Sequence, residues 1–166
     1  MTYAVNRENE IKSTVAAVPN ALAAGPMRVG EVMTHEAMTL DPNQTLADVV
    51  ALMATRSFHH VLVVDPDDRL RGVISDRDVL RALSRTPNWN KKTVSEIMTQ
   101  ESVTTTPESL ISVAAQEMLE RRINCLPVIG DDGRVCGILT STDLLKAYAS
   151  VQSVLEKLHI GRGAAD

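Results

Sequence analysis

The sequence repeats itself after 65 residues, and this duplication limits the chain to folds built from two similar units. The stretch VGEVMTHEAMTLDP begins at Val29, and VSEIMTQESVTTTP begins 65 positions later at Val94. The register continues without a gap and matches these pairs: Pro42 with Pro107, Met53 with Met118, Gly72 with Gly137, Asp78 with Asp143 and Leu80 with Leu145. Because turn residues and apolar residues both match, we interpret 28–85 and 94–149 as two copies of one structural unit.

Each copy has the pattern of a strand, a helix, two strands and a second helix. Short strands are predicted at 37–40 and 102–105, each ended by a proline, and helices at 45–56 and 110–122, where apolar residues form one inward stripe. Next come two β runs joined by a turn. In the first copy HVLVV and RGVIS flank the turn DPDD, and in the second copy CLPVI and VCGILT flank the turn GDDG. The closing helices are predicted to begin at Asp78 and Asp143. This order predicts an α/β fold in which two pseudo-twofold-related copies pack through their sheets.

The segments outside the copies have separate predictions. Residues 1–27 are expected to form a partly helical N-terminal extension, residues 86–93 a linker, and residues 150–166 a continuation of the last helix with its tail. The apolar stripe of that helix continues past the repeat and consists of Leu144, Tyr148, Val151, Leu155 and Leu158. We expect this stripe to be covered either by another molecule of the same protein in a homodimer or by the N-terminal extension.

Composition disfavours several classes of protein. With 17 basic and 21 acidic residues and 2% aromatic residues, the chain lacks the basic patch and stacking platforms of a nucleic-acid binder. No stretch approaches the about 20 apolar residues of a membrane span, and Pro19 and Asn20 interrupt the segment that imitates a secretory signal. Cys125 and Cys136 form neither a zinc motif nor a disulfide framework. We therefore expect a cytoplasmic protein that requires no metal or cofactor.

The repeated order of Met-Thr, strand, proline, helix, an apolar strand and Gly-x-x-Ser/Thr-x-x-Asp resembles the cystathionine-β-synthase-type (CBS) domain. The tandem resembles a CBS pair, or Bateman module, over about 29–149. The resemblance implies a regulatory module that binds AMP, ADP or ATP in clefts between the copies, with S-adenosylmethionine or NAD as further possible ligands. It also implies a homodimer and a separate effector protein, which the sequence does not name.

The resemblance assigns ligand-binding roles to the two motifs GVISDRD and GILTSTD, at 72–78 and 137–143. Asp78 and Asp143 are expected to bind ribose, because an ionised carboxylate accepts hydrogen bonds from both hydroxyls of a cis-diol. Ser75 and Thr140 are expected to contact phosphate or ribose. All four residues fit equally well as helix caps, so this alternative stays open.

His59 and His60 precede VLVVD in the first copy, whereas the uncharged Asn124 and Cys125 occupy these positions in the second copy. The two clefts are therefore chemically unequal. The position of the histidines resembles one at which a CBS protein contacts phosphates, and a protonated histidine there would strengthen phosphate binding as the pH falls toward about 6. The predicted anion site, called the first cleft, consists of His59, His60, Ser75, Arg77, Asp78, Thr99, Ser102, Val103 and Ile123. The second cleft, expected to take a less charged ligand, bind weakly or stay empty, consists of Thr34, Ala37, Met38, Phe58, Asn124, Cys125, Thr140 and Asp143. Phe58 and Ile123 would wall the adenine or pack in the core.

Other function classes remain as alternatives. A structural or interaction module with empty clefts would have the same repeats. A hydrolase triad from His59, Ser75 and Asp78 is disfavoured because no nucleophile-elbow glycines surround the serine. A metal site from His35, His59, His60 and Asp76 is disfavoured because adjacent histidines on a strand point apart, and no P-loop motif occurs. We therefore expect a binding module and not an enzyme.

Overall fold

The computed structural model describes residues 25–55, 58–85 and 87–162, with side chains of the last helix described as far as Glu156. By their contacts, these residues form two compact units. The larger unit consists of 34–106 with 125–138, and the smaller consists of 25–33, 107–124 and 139–162. The predicted α/β class is confirmed. The N-terminal extension lies outside the described residues as far as residue 24.

The first copy has the predicted order of elements. They are β1 (Thr39–Leu40), α1 (Leu46–Thr55), β2 (His60–Val64), β3 (Leu70–Ser75) and α2 (Asp76–Arg85). Strand β1 is parallel to β2, and β2 is antiparallel to β3, so β2 is the central strand of a three-stranded sheet. The first strand is two residues long instead of the predicted four.

The second copy contains α3 (Ile111–Arg121), β4 (Cys125–Ile129), β5 (Val135–Thr140) and α4 (Ser141–Arg162). Its predicted first strand is wrong in extent, because only Thr105 pairs, through one parallel bridge to Val128.

Pro127 explains why this strand is shorter. In the first copy the amide of Leu62 donates to the carbonyl of Met38 at 2.9 Å. Pro127 stands 65 positions after Leu62 and has no N–H, so the matching bond to Val103 cannot form.

The helices that close the two copies begin two residues earlier than predicted. Helix α2 begins at Asp76 and α4 at Ser141, which places Asp78 and Asp143 inside the first turn. The preceding Ser75 and Thr140 cap these helices through hydrogen bonds described below. Helix α4 runs to Arg162, beyond the end of the second copy at residue 149.

Alternating residues of β2 build two apolar clusters in the larger unit. Val61 and Val63 are fully buried on the side of the sheet that α1 and α2 cover. The cluster on this side consists of Leu40, Leu46, Val49, Val61, Val63, Ile74, Val79, Ala82 and Val94. Trp89, in the predicted linker, packs against it. Burying each valine or leucine stabilises the fold by about 1.5–3 kcal/mol relative to exposure.

The other face of the sheet packs against strands of the second copy. Leu62 from β2, Val73 from β3, Cys125 from β4 and Ile138 from β5 form one buried cluster. This cluster confirms the prediction that the copies pack through their sheets.

Candidate functional site

Ser75 and Asp78 form a closed hydrogen-bonded motif at the start of α2. The Asp78 Oδ2 atom accepts from the backbone N–H of Ser75 at 3.0 Å and from its hydroxyl at 2.5 Å. In return, the Asp78 amide donates to the Ser75 Oγ atom at 3.3 Å. These bonds satisfy N–H groups that the helix start leaves without intrahelical partners.

Thr140 and Asp143 repeat this motif at the start of α4. The Asp143 Oδ2 atom accepts from the Thr140 backbone N–H at 2.8 Å and from its hydroxyl at 2.6 Å. Asp143 is buried. All four predicted ribose and phosphate residues therefore have the capping role that the sequence left open.

Capping alone does not mark a ligand site, as the start of α1 demonstrates. There the Asp48 Oδ2 atom accepts from the Thr45 amide at 2.9 Å and from its hydroxyl at 2.7 Å. These hydrogen bonds lower the pKa of the Asp48 carboxyl. Because Thr45 and Asp48 form the same motif outside both predicted clefts, a ligand role for Asp78 has to rest on what surrounds it.

Arg81 contacts Asp78, although it was not among the predicted site residues. Its Nη1 atom donates to Asp78 Oδ1 at 3.0 Å, so the second carboxylate oxygen is also engaged. The side chain of Asp78 is 17% exposed and that of Arg81 is 53% exposed. The signal in the sequence was the spacing of three residues, which places an acid and a base side by side on a helix.

The two histidines occupy different environments, as expected for neighbours at the mouth of a strand. His59 is exposed, and its Nδ1 atom lies 3.0 Å from Asp76 Oδ2. This hydrogen bond is the main cause of a lowered pKa of the Asp76 carboxyl. His60 is half-buried and lies opposite Ser75 in the antiparallel pairing of β2 with β3.

Burial is the main reason that the pKa of His60 is lowered. The carboxylates of Asp76 and Asp78 act in the opposite direction, and His59 lowers it further. The charge of Asp78, the residue predicted to bind ribose, therefore acts on His60.

The threonine of each Met-Thr dipeptide pairs with a strand of the other copy, Thr99 with β3 and Thr34 with β5. Val73 and Thr99 exchange two backbone hydrogen bonds, of 3.0 and 2.8 Å. Thr34 and Ile138 exchange two of 2.9 Å in the same way. The first pairing brings Thr99 to within two residues of Ser75 along β3, and the Ser102 hydroxyl donates to the Thr99 carbonyl at 2.9 Å.

Gly72 makes this close approach possible. A Cβ atom at this position would lie 2.7 Å from the Thr99 carbonyl oxygen and 2.8 Å from the Met98 sulfur. Both contacts are shorter than non-bonded atoms tolerate, so the pairing of Thr99 with β3 requires glycine here.

The remaining predicted residues have varied surroundings. Thr34, Arg77 and Asn124 are exposed, and the half-buried ones are Ala37, Met38, Phe58, Val103 and Ile123. Met38 packs on the helix-covered cluster, and Ala37 on the cluster between the sheets. Except for Ile123, the first-cleft residues all belong to the larger unit.

Cys125, assigned to the second cleft, lies in the core. It is buried, and desolvation raises the pKa of its thiol to about 12, with a further contribution from the Asp78 charge. A neutral thiol at this position contributes packing and not charge.

A cavity of about 120 Å³ in the larger unit was not predicted as a whole. Its lining comprises His35, Glu36, Ala37, Thr39, Val64, Asp68, Val135, Cys136 and Gly137. Ala37 is the one second-cleft residue among them.

Within the described part of the chain, no three His, Cys, Asp or Glu side chains are grouped to hold a metal ion. Over the same residues, no helix has the length and apolar character to cross a membrane.

Comparison with known proteins gives consistent matches. The family described as CBS domain matches residues 29–85 and 94–150. Inosine-5'-monophosphate dehydrogenase of Methanocaldococcus jannaschii is 30% identical over 130 residues, which are 78% of this chain and 25% of that protein. The chain thus spans about a quarter of the length of this curated relative.

Two solved structures share the fold and contain adenosyl ligands. The CBS domain pair of protein MJ0100, in complex with 5'-methylthioadenosine and S-adenosyl-L-methionine, is 27% identical with a TM-score of 0.69 and covers 75% of this chain and 98% of that one. CBSX2 in complex with AMP, a protein of Arabidopsis thaliana, is 27% identical with a TM-score of 0.68 and the same two coverages. Since the family matches more than half of the sequence, the chain belongs to the CBS domain family and carries two CBS repeats in tandem.

Proposed function

We propose that this chain is a cytoplasmic regulatory module that binds an adenine nucleotide or adenosyl compound reversibly and signals to a separate effector protein. The observation that carries the proposal is the grouping of Asp78, Ser75 and His60 in one compact unit. Thr99 pairs with β3, the strand that ends at Ser75. The adenosyl ligands of MJ0100 and CBSX2 support this ligand class. AMP, ADP and ATP are the foremost candidates, followed by S-adenosylmethionine and NAD.

The first cleft is the proposed site for a phosphorylated ligand. His59 and His60 supply imidazoles, and Arg77 adds an exposed guanidinium one residue before Asp78. The charge-assisted hydrogen bonds that the Arg77 guanidinium can donate to phosphate oxygens are stronger than neutral ones. Asn124 and Cys125 replace the histidines in the second copy, so we propose that the second cleft prefers a less charged ligand, binds weakly or stays empty.

A non-catalytic role agrees with the hydrogen bonds at the first cleft. The Ser75 hydroxyl donates to Asp78, and the His59 Nδ1 atom pairs with Asp76. A serine nucleophile needs its hydroxyl directed to a general base such as histidine, and here the hydroxyl is directed to the helix cap. We therefore propose binding without chemistry, and detectable turnover of a nucleotide by the purified protein would contradict this.

Isothermal titration of the full chain with AMP, ADP, ATP, S-adenosylmethionine and NAD tests the ligand class. Asp78→Ala should abolish binding at the first cleft, and Asp143→Ala should leave it largely intact. Each variant removes the same cap, which costs about 1 kcal/mol of stability, so each is a matched control for the other. The reverse result would overturn the ranking of the clefts. If no ligand binds below millimolar concentration, an interaction module with empty clefts becomes the better proposal.

We also propose that the chain forms a homodimer through α3 and α4. Among the side chains described on these helices, which extend to Glu156, four large apolar ones are exposed: Val113, Leu119, Leu145 and Tyr148. Helices α3 and α4 contact each other within the smaller unit, so one partner surface can cover residues of both. Tyr148 belongs to the predicted stripe and is 63% exposed, whereas Leu144 and Val151 of that stripe are half-buried. An apolar surface shared by two helices is typical of an interaction site.

A further inference from the structure

Three hydrogen bonds converge on the Asp78 carboxylate. Oδ2 accepts from the Ser75 amide at 3.0 Å and from the Ser75 hydroxyl at 2.5 Å, and Oδ1 accepts from Arg81 Nη1 at 3.0 Å. An ionised carboxylate offers about four lone-pair positions. These bonds therefore leave room for about one further donor.

A ribose cis-diol that donates both hydroxyls to Asp78 needs two acceptor positions, so one existing donor has to leave. The Ser75 amide and hydroxyl that donate to Oδ2 are part-buried at the start of α2, so displacing either would leave a polar group without its partner where water reaches it less readily. The Arg81 side chain is 53% exposed, so its guanidinium is readily solvated by water after it leaves. Exposed ion pairs of this kind contribute little to stability. Arg81 is accordingly the donor that a diol displaces at the lowest cost.

We propose that Arg81 is a latch on Asp78: its guanidinium occupies Oδ1 and leaves when the ribose diol binds. This inference rests on the proposed function, because it takes Asp78 as the ribose ligand. A 2′-deoxyribose donates one hydroxyl only and fits the remaining position with the latch closed. Arg81 therefore reduces the preference of the first cleft for ribose over 2′-deoxyribose.

The second copy differs at the corresponding position, where Lys146 follows Asp143 by three residues. Lysine presents a compact charge on a flexible stem, whereas arginine presents a planar fork that fixes its geometry toward a carboxylate. The latch is accordingly assigned to the first cleft. Arg81→Lys gives the first copy the residue that the second already has.

The test compares AMP with 2′-deoxy-AMP by isothermal titration of the full chain in an Asp143→Ala background, which silences the second cleft. The ratio of the two Kd values cancels any contact that Arg81 makes with phosphate. We expect Arg81→Gln to increase the preference for AMP about two- to fivefold over the background chain, through tighter AMP binding. The preference of Arg81→Lys for AMP should lie between that of the background chain and that of Arg81→Gln. Arg85→Gln removes a positive charge from the last turn of the same helix and should leave the ratio unchanged.

An unchanged ratio in Arg81→Gln overturns the latch, and so does a decreased ratio, which would mean that Arg81 orients Asp78 for the ligand. Arg81→Ala, compared with Arg81→Gln, excludes an effect of the introduced amide. If neither the wild-type chain nor any variant binds AMP, the latch is overturned as stated, and the proposed function fails as well only if ADP, ATP, S-adenosylmethionine and NAD do not bind either. If the wild-type chain binds AMP and the Asp143→Ala background does not, the first cleft is not the site and the latch is overturned. Binding with an unchanged ratio removes the latch alone.

Discussion

His60 is a half-buried imidazole surrounded by charged groups of the neighbouring helix start. Asp76, Asp78 and His59 all act on it, and burial outweighs the two carboxylates, so its pKa lies below 6.5. The folded chain therefore binds this proton less tightly than the unfolded chain does. Any strengthening of phosphate binding through His60 accordingly begins at a lower pH than for a solvent-exposed histidine.

Protonation linked to His60 should make the wild-type fold less stable as the pH falls below 6.5, where the unfolded chain takes up the proton first. The loss should continue until the pH reaches the folded-state pKa. Removing the imidazole by His60→Gln should reduce the decrease in unfolding free energy between about pH 7.5 and 5.5, measured by urea denaturation. His35→Gln removes an exposed imidazole as the control. Equal losses in wild type and His60→Gln would contradict the burial argument.

At the scale of elements, the turns that join β2 to β3 and β4 to β5 use one residue each in the left-handed conformation. Asp68 has φ of 60° and Gly133 has φ of 78°, and the two positions are 65 residues apart. The Asp68 amide donates to the Asp65 carbonyl at 3.0 Å, and the Asp68 carbonyl accepts from the Val135 amide at 2.9 Å. The conformation of the first turn is thus fixed from both sides.

Gly133→Ala should destabilise the fold by about 1–2 kcal/mol, because alanine enters the left-handed region at that cost. Gly133→Asp places in the second copy the residue that the first carries, and should cost less, since short polar side chains visit this region more readily. Thermal or urea unfolding of the three chains gives the order wild type, Asp variant, Ala variant. An alanine variant as stable as wild type would show that the turn can adopt another conformation.

The elements that could be predicted from the sequence are those with a clear apolar period. The bounds of β2, β3, β4, β5, α1 and α3 match the predicted ones to within a residue over the described chain. The strands are short apolar runs bounded by turn residues, and the helices follow helical spacing. The lost pairing at Pro127 could also have been predicted, since proline has no N–H. The Arg81 contact could not, because a spacing of three residues permits an ion pair without specifying the rotamers that form it. The cavity beside Cys136 depends on three separate segments meeting, which no local pattern encodes.

At the scale of the whole molecule, the exposed apolar surface of α3 and α4 predicts that Leu145→Glu combined with Tyr148→Glu yields a monomer. Wild type should have the mass of a dimer, because burial of these side chains drives association and a buried unpaired carboxylate opposes it. Sedimentation equilibrium measures both masses. Asn90→Glu introduces a carboxylate at an exposed position of the linker and should remain dimeric. A monomeric wild-type chain, or a dimeric double variant, would contradict the assignment of this surface.

The reciprocal pairing of Thr34 with Ile138 and of Thr99 with Val73 has a consequence for the origin of the tandem. Each copy supplies one segment and receives one, so neither copy completes its hydrogen bonding within its own sequence. Two identical single copies could form both bridges by twofold exchange, and joining them through a short linker would keep every bond while removing the concentration dependence of assembly. Duplication would then allow one copy to change independently of the other, as the contrast between His59-His60 and Asn124-Cys125 illustrates.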